Sequence, residues 1–254
     1  MKVAAIVQAR MASIRLPGKV LMDIKGVPML MHIINRLKFS RLIDEVIVAT
    51  STNKKDSEIE EFCRKFQTTC YRGSEDNIAE RIAVSFKQCS CDAGLRVWGD
   101  CPLIDPFVID EGIEMFVKEG ADYLSNFFPE KSYPYGLDFE IYSGRLFKDL
   151  EKEEKSDFFK EFPFEFVWEN KVKYKTVNLK NKENLLEEAS FTVDYPQDLE
   201  LMKKIYEELY SDSSIFTYKE AIEFLRKNSH LKRLNRNLAR NIEYNAAKLK
   251  QEVI

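Results

Sequence analysis

The sequence predicts an α/β protein built on a doubly wound, mostly parallel sheet with helices on both faces. Residues 2–8 (KVAAIVQ) and 45–50 (EVIVAT) are short apolar runs, as expected of strands buried on both faces of a parallel sheet. The segment between them has apolar residues at helical spacing, so strand, helix and strand form a βαβ unit. The same alternation continues to residue 125, which favours one sheet covered on both sides.

Local signals define the individual elements. Met29, Ile33 and Leu37 recur at helical spacing after Pro28, a residue that suits the start of a helix. Asp105-Pro106 marks the start of a later helix. The predicted helices cover residues 29–37, 57–66, 76–88 and 106–118, and the further strands cover 68–72, 95–99 and 121–125.

The regular alternation of predicted strands and helices ends after Asn126. Residues 136–142, 171–179 and 190–194 have the pattern of strands with alternating faces, and the aromatic-rich segment 156–170 is predicted to be helical. We therefore expect a small β-rich lobe at about 127–190, lying over the edge of the sheet. An amphipathic helix over 196–210, started by Pro196, is expected to pack back on the core and to complete a domain of residues 1–210.

Residues 211–254 are predicted to form a helical, basic extension. Between Arg226 and Lys250 there are eight Lys or Arg residues and one Glu, and residues 217–250 have helical character. The simplest interpretation is a solvated helical face or a subunit contact. A charged run of this kind also permits binding of an acidic partner.

Composition limits the classes of function. With 254 residues, a net charge of −3 and a pI near 5.7, the chain has no global attraction for nucleic acid or anionic membranes. No window approaches the ~20 apolar residues of a membrane helix, and the N-terminus lacks the features of a signal peptide. The five cysteines are an odd set without CxxC spacing, which is typical of reduced thiols. We expect a cytoplasmic protein that does not insert into membranes.

The strongest chemical signal is the polar loop QARMASIRLPGK at residues 8–19, which leaves the carboxyl end of the first strand. Ligands bind at this edge of open α/β sheets. Arg10, Arg15 and Lys19 supply three cations, Ser13 adds a hydroxyl, and Gly18 lets backbone amides approach a phosphate chain. Composition alone leaves open that the loop is solvated surface.

Two carboxylates are placed to face the same crevice. Asp100 follows the strand 95–99, and Asp194 ends the predicted strand 190–194. Mg²⁺ prefers oxygen ligands from one or two carboxylates together with phosphates and water. The alternative for each residue is structural, because Asp100 would also serve in a turn or cap and Asp194 as the N-cap of the following helix.

The order of residues in the loop resembles the nucleotide-binding signature of the cytidylyltransferases that activate Kdo and sialic acids, and especially the related spore-coat polysaccharide cytidylyltransferases. Residues 9–19 match that pattern throughout, with Ala12 as the variant typical of the Kdo branch. The resemblance covers about the first 210 residues, and the tail with Asn235 and Arg240-Asn241 resembles the spore-coat extension. Further matching segments are VAT at 48–50, RGSEDN at 72–77, ER at 80–81, GDCPLIDP at 99–106, GLDFE at 136–140 and TVDYPQDL at 192–199.

This resemblance implies a nucleotide-diphospho-sugar transferase-like, Rossmann-like fold and a magnesium-dependent enzyme that transfers CMP from CTP to an acidic ulosonic or nonulosonic sugar. It also implies a homodimer. By the same resemblance, the catalytic residues are Arg15, Lys19 and Asp100, the metal ligands are Asp100 and Asp194, the nucleotide-binding residues are Ala9, Arg10, Ser13, Arg15, Lys19, Arg72, Asn77 and Arg81, and the acceptor-binding residues are Ser125, Asn126, Gly136, Asp138 and Glu140.

One departure puts the acceptor in doubt. Many spore-coat relatives have a His-Val-Thr segment before the end of the aromatic-rich helix, whereas Phe162-Pro-Phe164 stands here. The aromatic residues of this segment pack in the core or line a more apolar acceptor pocket. Two other functions stay open, namely nucleotide transfer to a sugar phosphate or phosphonate, and a catalytically silent nucleotide-binding protein.

Overall fold

A seven-stranded sheet forms the centre of the computed structural model, which describes residues 1–152, 156–211 and 214–252. The predicted lobe and extension each include residues outside these ranges. The strands are β1 (Val3–Gln8), β2 (Asp23–Ile24), β3 (Val27–Pro28), β4 (Glu45–Ser51), β5 (Thr69–Gly73), β6 (Ala93–Trp98), β7 (Tyr123–Ser125), β8 (Phe139–Ser143) and β9 (Thr176–Asn178).

The strand order of the sheet is β5-β4-β1-β6-β8-β7-β9, while β2 and β3 form a separate hairpin. Neighbouring strands are parallel except where β8 runs antiparallel to β6 and β7. Strand β1 lies between β4 and β6, with Ile6 in register with Ile47 on one side and Arg96 on the other. Its residues Val3 to Val7 are almost inaccessible to solvent, which explains their unbroken apolar character.

Helices cover both faces of the sheet, and the main apolar core lies between them and the strands. They are α1 (Met29–Lys38), α2 (Ser57–Lys65), α3 (Ile78–Lys87), α4 (Pro106–Glu119), α5 (Gly144–Lys152), α6 (Asp157–Glu161), α7 (Pro163–Glu169), α8 (Pro196–Leu209), α9 (Tyr218–Lys227) and α10 (Ile242–Glu252). No helix in the described ranges is long and apolar enough to cross a membrane.

The predicted fold class is confirmed, but the strands assigned to a separate lobe are not where we expected them. Strands β8 and β9 extend the main sheet beyond β6. Residues 190–194 form no regular strand, because Ser190 makes only an isolated bridge with Tyr135. The predicted strand 171–179 is reduced to Thr176–Asn178, and helix α5 was not predicted.

The C-terminal extension is helical in pieces rather than continuous. A 3-10 helix over Ser229–Leu234 follows α9, and residues 235–241 connect it to α10. Four of the eight cations between Arg226 and Lys250 pair with acidic residues of the main domain. These pairs are Arg226 and Lys232 with Glu188, Arg240 with Asp198, and Lys248 with Glu165. Half of the basic run therefore serves to pack the extension against the main domain.

The sheet topology fixes where a ligand would bind. From β1 the chain passes through β4 to β5 on one side, whereas β6 lies on the other side of β1. The loops that follow β1 and β6 therefore diverge and leave a crevice at the carboxyl edge. Gly99, just after β6, permits close contact there, since a Cβ at this position would lie 2.9 Å from the carbonyl oxygen of Gln8.

Candidate active site

The loop after β1 has a fixed conformation. Gly18 has φ of 72°, a left-handed conformation that favours glycine, and its amide donates to the carbonyl of Met11 at 3.0 Å. The Met11 amide in turn donates to the carboxylate of Asp56 at 2.7 Å, and the Ser13 hydroxyl accepts from the Leu16 amide at 3.4 Å. These hydrogen bonds, within the loop and to the buried Asp56 outside it, hold the backbone that carries the basic side chains.

Lys19 lies at the centre of the site, with its ammonium between two carboxylates. Its Nζ atom is 2.7 Å from Asp100 and 3.0 Å from Asp194, and Arg15 lies 3.1 Å from the same Asp194 oxygen. Asp100 follows β6, and Asp194 lies two residues before the start of α8. The structure therefore brings together four predicted residues from three separate parts of the chain.

Proton equilibria in this cluster reflect the pairing. Burial alone would lower the pKa of Lys19, but the charges and hydrogen bonds of Asp100 and Asp194 outweigh it and raise that pKa above its ordinary value. Burial alone would raise the pKa of Asp194, yet the neighbouring Lys19 and Arg15 hold it below its ordinary value. The lysine is cationic and the aspartate anionic across the neutral range.

Arg240 from the C-terminal extension completes the cluster. Its guanidinium binds both oxygens of Asp198 at 2.9 and 2.6 Å and lies 3.8 Å from Asp194. Asp198 is buried and also accepts from the amides of Asp194 and Tyr195. This buried acid therefore joins the first turn of α8, the extension and the metal-binding candidate Asp194.

A cavity of about 360 Å³ opens at this edge of the sheet. Its lining combines charged side chains with aromatic ones. The predicted site residues that line it are Arg10, Ser13, Arg15, Lys19, Asp100, Asp138 and Asp194. Among the described residues, Arg96, Lys131 and Arg240 add further cations to the lining.

Arg81 is a buried arginine that lies close enough to Arg96 and Arg10, two residues of the cavity lining, to feel their charges. Burial, followed by the charges of Arg96 and Arg10, lowers the pKa of Arg81 to about 10. The guanidinium is nevertheless charged at neutral pH. Mutual repulsion between these arginines favours an anionic ligand, because an anion relieves it.

Several residues predicted to bind the nucleotide serve the framework and do not line this cavity. Arg72 donates to the carbonyls of Ser51 and Asn53, and Asn77 caps α3 by accepting from the amide of Glu80. Arg81 is buried and donates to the carbonyl of Ser74 at 2.6 Å, and Ala9 is buried at the end of β1. These contacts order the walls around the basic loop.

The predicted acceptor residues divide in the same way, since Asp138 lines the cavity whereas the others are internal. Ser125 accepts from two amides of the following turn, and the buried Asn126 bonds the backbone of Leu137 and Phe139. Glu140 binds Arg96 at 2.8 Å within the sheet. A Cβ on Gly136 would lie 2.5 Å from the backbone of Phe191, so this glycine permits the approach of the segment that carries Asp194.

Sequence reasoning missed Asp56, Asp198, Arg240 and Lys131 as members or supports of the site. Asp198 lies in the segment TVDYPQDL, and Arg240 stands in the tail already noted for its family resemblance, so both had a local signal. Lys131, whose ammonium is 2.6 Å from Asp138 and 3.8 Å from the centre of the Tyr135 ring, had none.

The donor set suits a divalent cation. Carboxylate oxygens of Asp100 and Asp194 converge on one point, where the Lys19 ammonium lies. An ammonium held between two carboxylates marks a place where positive charge is stabilised, and Mg²⁺ is held in proteins by one or two carboxylates with phosphate oxygens. Both acids are partly accessible from the cavity, at 23% and 13% side-chain exposure.

A basic loop at the switch point of a mostly parallel sheet, facing paired carboxylates, defines a nucleotide-binding transferase of the Rossmann-like class. A family model described as Cytidylyltransferase matches residues 4–252. The chain belongs to this cytidylyltransferase family and is a nucleotidyltransferase.

Individual relatives agree with this assignment. An uncharacterized protein of Methanocaldococcus jannaschii is 32% identical over 94% of this chain and 96% of its own length. The spore coat polysaccharide biosynthesis protein SpsF of Bacillus subtilis is 27% identical over 80% of this chain and 85% of its own. The 3-deoxy-manno-octulosonate cytidylyltransferase of Geobacter sulfurreducens is 38% identical over 48% of each chain.

Solved structures show the same fold. A cytidylyltransferase from Leptospira borgpetersenii superimposes with a TM-score of 0.86, at 29% identity, covering 94% of this chain and 99% of that one. A CMP:2-keto-3-deoxy-manno-octonic acid synthetase complexed with CTP gives a TM-score of 0.62 at 17% identity, covering 83% and 100%. The predicted kinship with the spore-coat and Kdo cytidylyltransferases is confirmed.

Proposed function

We propose that this cytidylyltransferase transfers CMP from CTP to an acidic ulosonic or nonulosonic sugar and releases pyrophosphate. The observation that carries the proposal is the position of Lys19, held within 3.0 Å of both Asp100 and Asp194 at the carboxyl edge of β1 and β6. Cations and carboxylates are thereby placed together before substrate arrives. Such preorganisation is what phosphoryl transfer requires.

The reaction is a displacement at the α-phosphorus of CTP. An oxygen of the acceptor forms the new bond to phosphorus, the bond to the leaving pyrophosphate breaks, and the acceptor proton passes to solvent. Arg15 and Lys19 bind the phosphate chain and offset the charge that gathers on the leaving group. No side-chain nucleophile is needed.

We propose Mg²⁺ as the cofactor, with Asp100 and Asp194 as its protein ligands. When bound, the ion supplies further positive charge next to the phosphate oxygens. Lys19 would then exchange its carboxylate partners for phosphate oxygens, while Arg240 and Asp198 keep Asp194 in position. Apart from Lys19, the described residues give Asp100 only a weaker contact, from the Cys101 thiol at 3.5 Å, and its side chain is the more exposed of the two.

The proposal of an acidic sugar rests on charge and on kinship. Relatives are named for 3-deoxy-manno-octulosonate, and another for its 8-amino-3,8-dideoxy form. Lys131 and Arg240 add cations to the cavity lining beyond those of the basic loop, and an acceptor carboxylate would pair with such cations. A role in surface polysaccharide or glycan synthesis follows for such a product.

A pyrophosphate-release assay tests the function. The enzyme is incubated with each of the four nucleoside triphosphates and a panel of acidic sugars, sugar phosphates and phosphonates, with and without Mg²⁺. We expect release only with CTP, an acidic sugar and the metal. Release with a sugar phosphate or phosphonate instead would transfer the proposal to that acceptor class, and no CTP consumption with any acceptor would contradict it.

The Asp100→Asn variant separates catalysis from folding. Removing one anionic ligand should leave the unfolding midpoint nearly unchanged and lower turnover by orders of magnitude. Asp23→Asn is the matched control, because Asp23 is exposed at the start of β2 and does not line the cavity. Near-normal turnover of Asp100→Asn at saturating Mg²⁺ would remove Asp100 from its proposed role.

A further inference from the structure

Two thiols and a carboxylate meet at the edge of the sheet opposite the candidate active site. Cys89 and Cys91 lie in the loop between α3 and β6, and Glu45 is the first residue of β4. Because β4 and β6 run parallel to β1, the starts of these strands form the amino edge of the sheet. One ligand atom from each of the three residues lies within 4.8 Å of the other two. In the parts of the chain that the structure describes, no other set of three His, Cys, Asp or Glu side chains converges in this way.

The fold holds the two segments that carry this cluster next to each other. The loop before β6 and the start of β4 flank the start of β1, since β1 lies between these two strands. The amide of Lys2 donates to the carboxylate of Asp92 at 2.8 Å, and the amide of Val3 donates to that of Asp44 at 2.7 Å. Each of these acids is next in sequence to a member of the cluster. Both segments are therefore fixed to the same strand end.

The backbone between the two cysteines lets their thiols approach each other. On a regular helix or strand, side chains two residues apart point in different directions or lie too far apart to share an ion. Residues 88–92 belong to neither kind of element. The Cys89 thiol donates to the carbonyl of Phe86 at 2.9 Å, and that carbonyl also accepts from the Cys89 amide at 3.2 Å. The thiol can therefore turn to another partner without leaving the carbonyl unpaired.

The donor set and its surroundings suit a zinc ion. Zn²⁺ binds thiolate sulfur at ~2.3 Å and carboxylate oxygen at ~2.0 to 2.2 Å, and in a tetrahedral site such donors lie roughly 3.6 to 3.8 Å apart. The three donor atoms would have to close by about an ångström at most to reach this geometry. A second cavity, of about 460 Å³, is lined in part by Cys89 and Cys91. It gives an ion access and leaves room for water as a fourth ligand.

We propose that Cys89, Cys91 and Glu45 form a second metal site, which binds one Zn²⁺ ion per chain. Each thiol gives its proton to solvent as its sulfur binds the ion. The ion would join the start of β4 to the loop before β6 and so stabilise the folded chain, because it binds the folded state and not the unfolded one. This site lies at the edge of the sheet away from Lys19. Its role is therefore in stability and not in nucleotide transfer, and the inference is independent of the proposed function.

Titration of the reduced, full-length protein with Zn²⁺ and with Co²⁺ tests the site. Protein freed of metal by a chelator is kept reduced with a phosphine; Zn²⁺ binding is followed by calorimetry, and Co²⁺ binding by absorption. Sulfur ligands give a thiolate-to-cobalt band in the near ultraviolet that oxygen ligands do not give. The test variants are Cys91→Ser and Glu45→Gln. The matched control is Cys70→Ser, because Cys70 is half-buried like Cys91 and lies outside the cluster.

We expect one sulfur-bound ion per chain and an unfolding midpoint that rises with the concentration of Zn²⁺. Cys91→Ser should weaken Zn²⁺ binding at least 10- to 100-fold, the loss typical of removing even a residue that only supports a metal ligand, and should lose most of the cobalt band. Glu45→Gln should weaken binding but keep the band, since both sulfur ligands remain. Cys70→Ser should match wild type in affinity, band and midpoint.

The outcomes separate this site from the candidate active site. Asp100→Asn should keep the cobalt band, even where it loses an oxygen-bound ion at the carboxyl edge. Cys91→Ser should bind CTP as wild type does. Reduced wild-type protein that binds no Zn²⁺, or a cobalt band that Cys91→Ser leaves unchanged, would overturn the proposal. Loss of the band in Asp100→Asn would also overturn it, because the sulfur-bound ion would then lie at the candidate active site.

Discussion

Lys19 is the residue on which most of the site depends. It is 8% exposed and is shared by Asp100 and Asp194, so its charge offsets two carboxylates that would otherwise repel each other. A phosphate chain competes for the same ammonium. In the proposed function, the binding of CTP is therefore a change of partners for Lys19 and the two acids rather than an addition of charge to an empty surface.

Replacing Lys19 with alanine should weaken CTP binding and lower turnover. The phosphate chain loses a partly desolvated cation, a loss of ~2 kcal/mol or more in binding free energy by analogy with charge-assisted hydrogen bonds. Calorimetric titration with CTP measures the change. Lys38→Ala, at an exposed lysine that ends α1, is the control, and an unchanged titration of Lys19→Ala would mean that the loop does not bind phosphate.

The lowered pKa of Asp194 predicts how the free energy of unfolding depends on pH. Its pKa lies below the ordinary value because Lys19 and Arg15 stabilise the carboxylate against the opposing effect of burial. A lowered pKa contributes stability that is present above the unfolded pKa, near the ordinary 3.8, and is lost as the pH falls through the folded pKa.

Asp194→Asn should accordingly be less stable than wild type at neutral pH, because three cations lose their shared partner. The difference in free energy of unfolding between wild type and Asp194→Asn should become smaller as the pH falls below 3.8. Urea unfolding followed at a series of pH values gives both free energies of unfolding. A stability difference that does not depend on pH would show that the carboxylate is not paired in solution.

The residues of the loop and the two metal-binding candidates could be predicted because each lies next to a recognisable element end. Arg72 and Arg81 could not be assigned in the same way. Both are cations near the site in sequence order, but their guanidinium groups bind backbone carbonyls that the sequence does not reveal. A cation in a motif can face a ligand or the backbone of a loop, and the sequence alone does not reveal these backbone contacts.

At the scale of elements, each strand of the main sheet was predicted as a strand, but the place of β8 and β9 in that sheet was not. Strands β1, β4 and β6 are short apolar runs because both faces are covered. Strands β7 and β9 have three residues each; β7 is buried between β8 and β9, whereas β9 is a partly buried edge strand, where burial constrains the sequence less. Their membership of the main sheet depends on β8, whose antiparallel pairing is a long-range contact.

The loop between β1 and α1 yields a prediction about backbone conformation. Gly18→Ala places a side chain at φ of 72°, which costs ~1 to 2 kcal/mol and moves the start of the 3-10 helix Lys19–Leu21, which Gly18 precedes. Gly120→Ala at φ of 56°, where a Cβ would meet nothing within 4 Å, imposes the same strain far from the cavity.

We expect both glycine variants to lose similar stability and only Gly18→Ala to lose CTP affinity. Thermal unfolding and CTP titration of the two proteins measure these effects separately. If Gly120→Ala lost as much affinity, general destabilisation rather than loop geometry would explain the result. Unchanged binding in both would mean that the phosphate chain does not contact the loop backbone.

At the scale of the whole molecule, the contacts of the C-terminal extension show where its basic residues lie. The sequence left open a solvated face, a subunit contact or an acidic partner. Asn235 and Arg240 both bind the buried Asp198, and Lys248 binds Glu165, so the tail packs against its own chain at the site. The homodimer remains a prediction, which sedimentation equilibrium tests against the 29.8 kDa mass of one chain.

Removing residues 235–254 should affect stability and acceptor use more than CTP binding. The truncated chain keeps Arg15, Lys19, Asp100 and Asp194, but Asp198 loses two of its side-chain partners, a loss of ~2 kcal/mol or more for a buried acid. We expect a lower unfolding midpoint, CTP affinity within a few-fold of wild type, and a marked loss of acceptor turnover.

Two full-length variants separate packing from charge. Arg240→Ala removes the contact with Asp198 and should reproduce much of the loss of stability even if the truncated chain fails to fold. Arg236→Ala combined with Lys250→Ala removes two exposed cations and keeps every described contact of Arg240 and Tyr244, so stability and acceptor KM should stay at wild-type values. A raised, salt-sensitive acceptor KM in this double variant would instead assign the tail to electrostatic capture of an acidic partner, since exposed charges act over long range and are screened by salt.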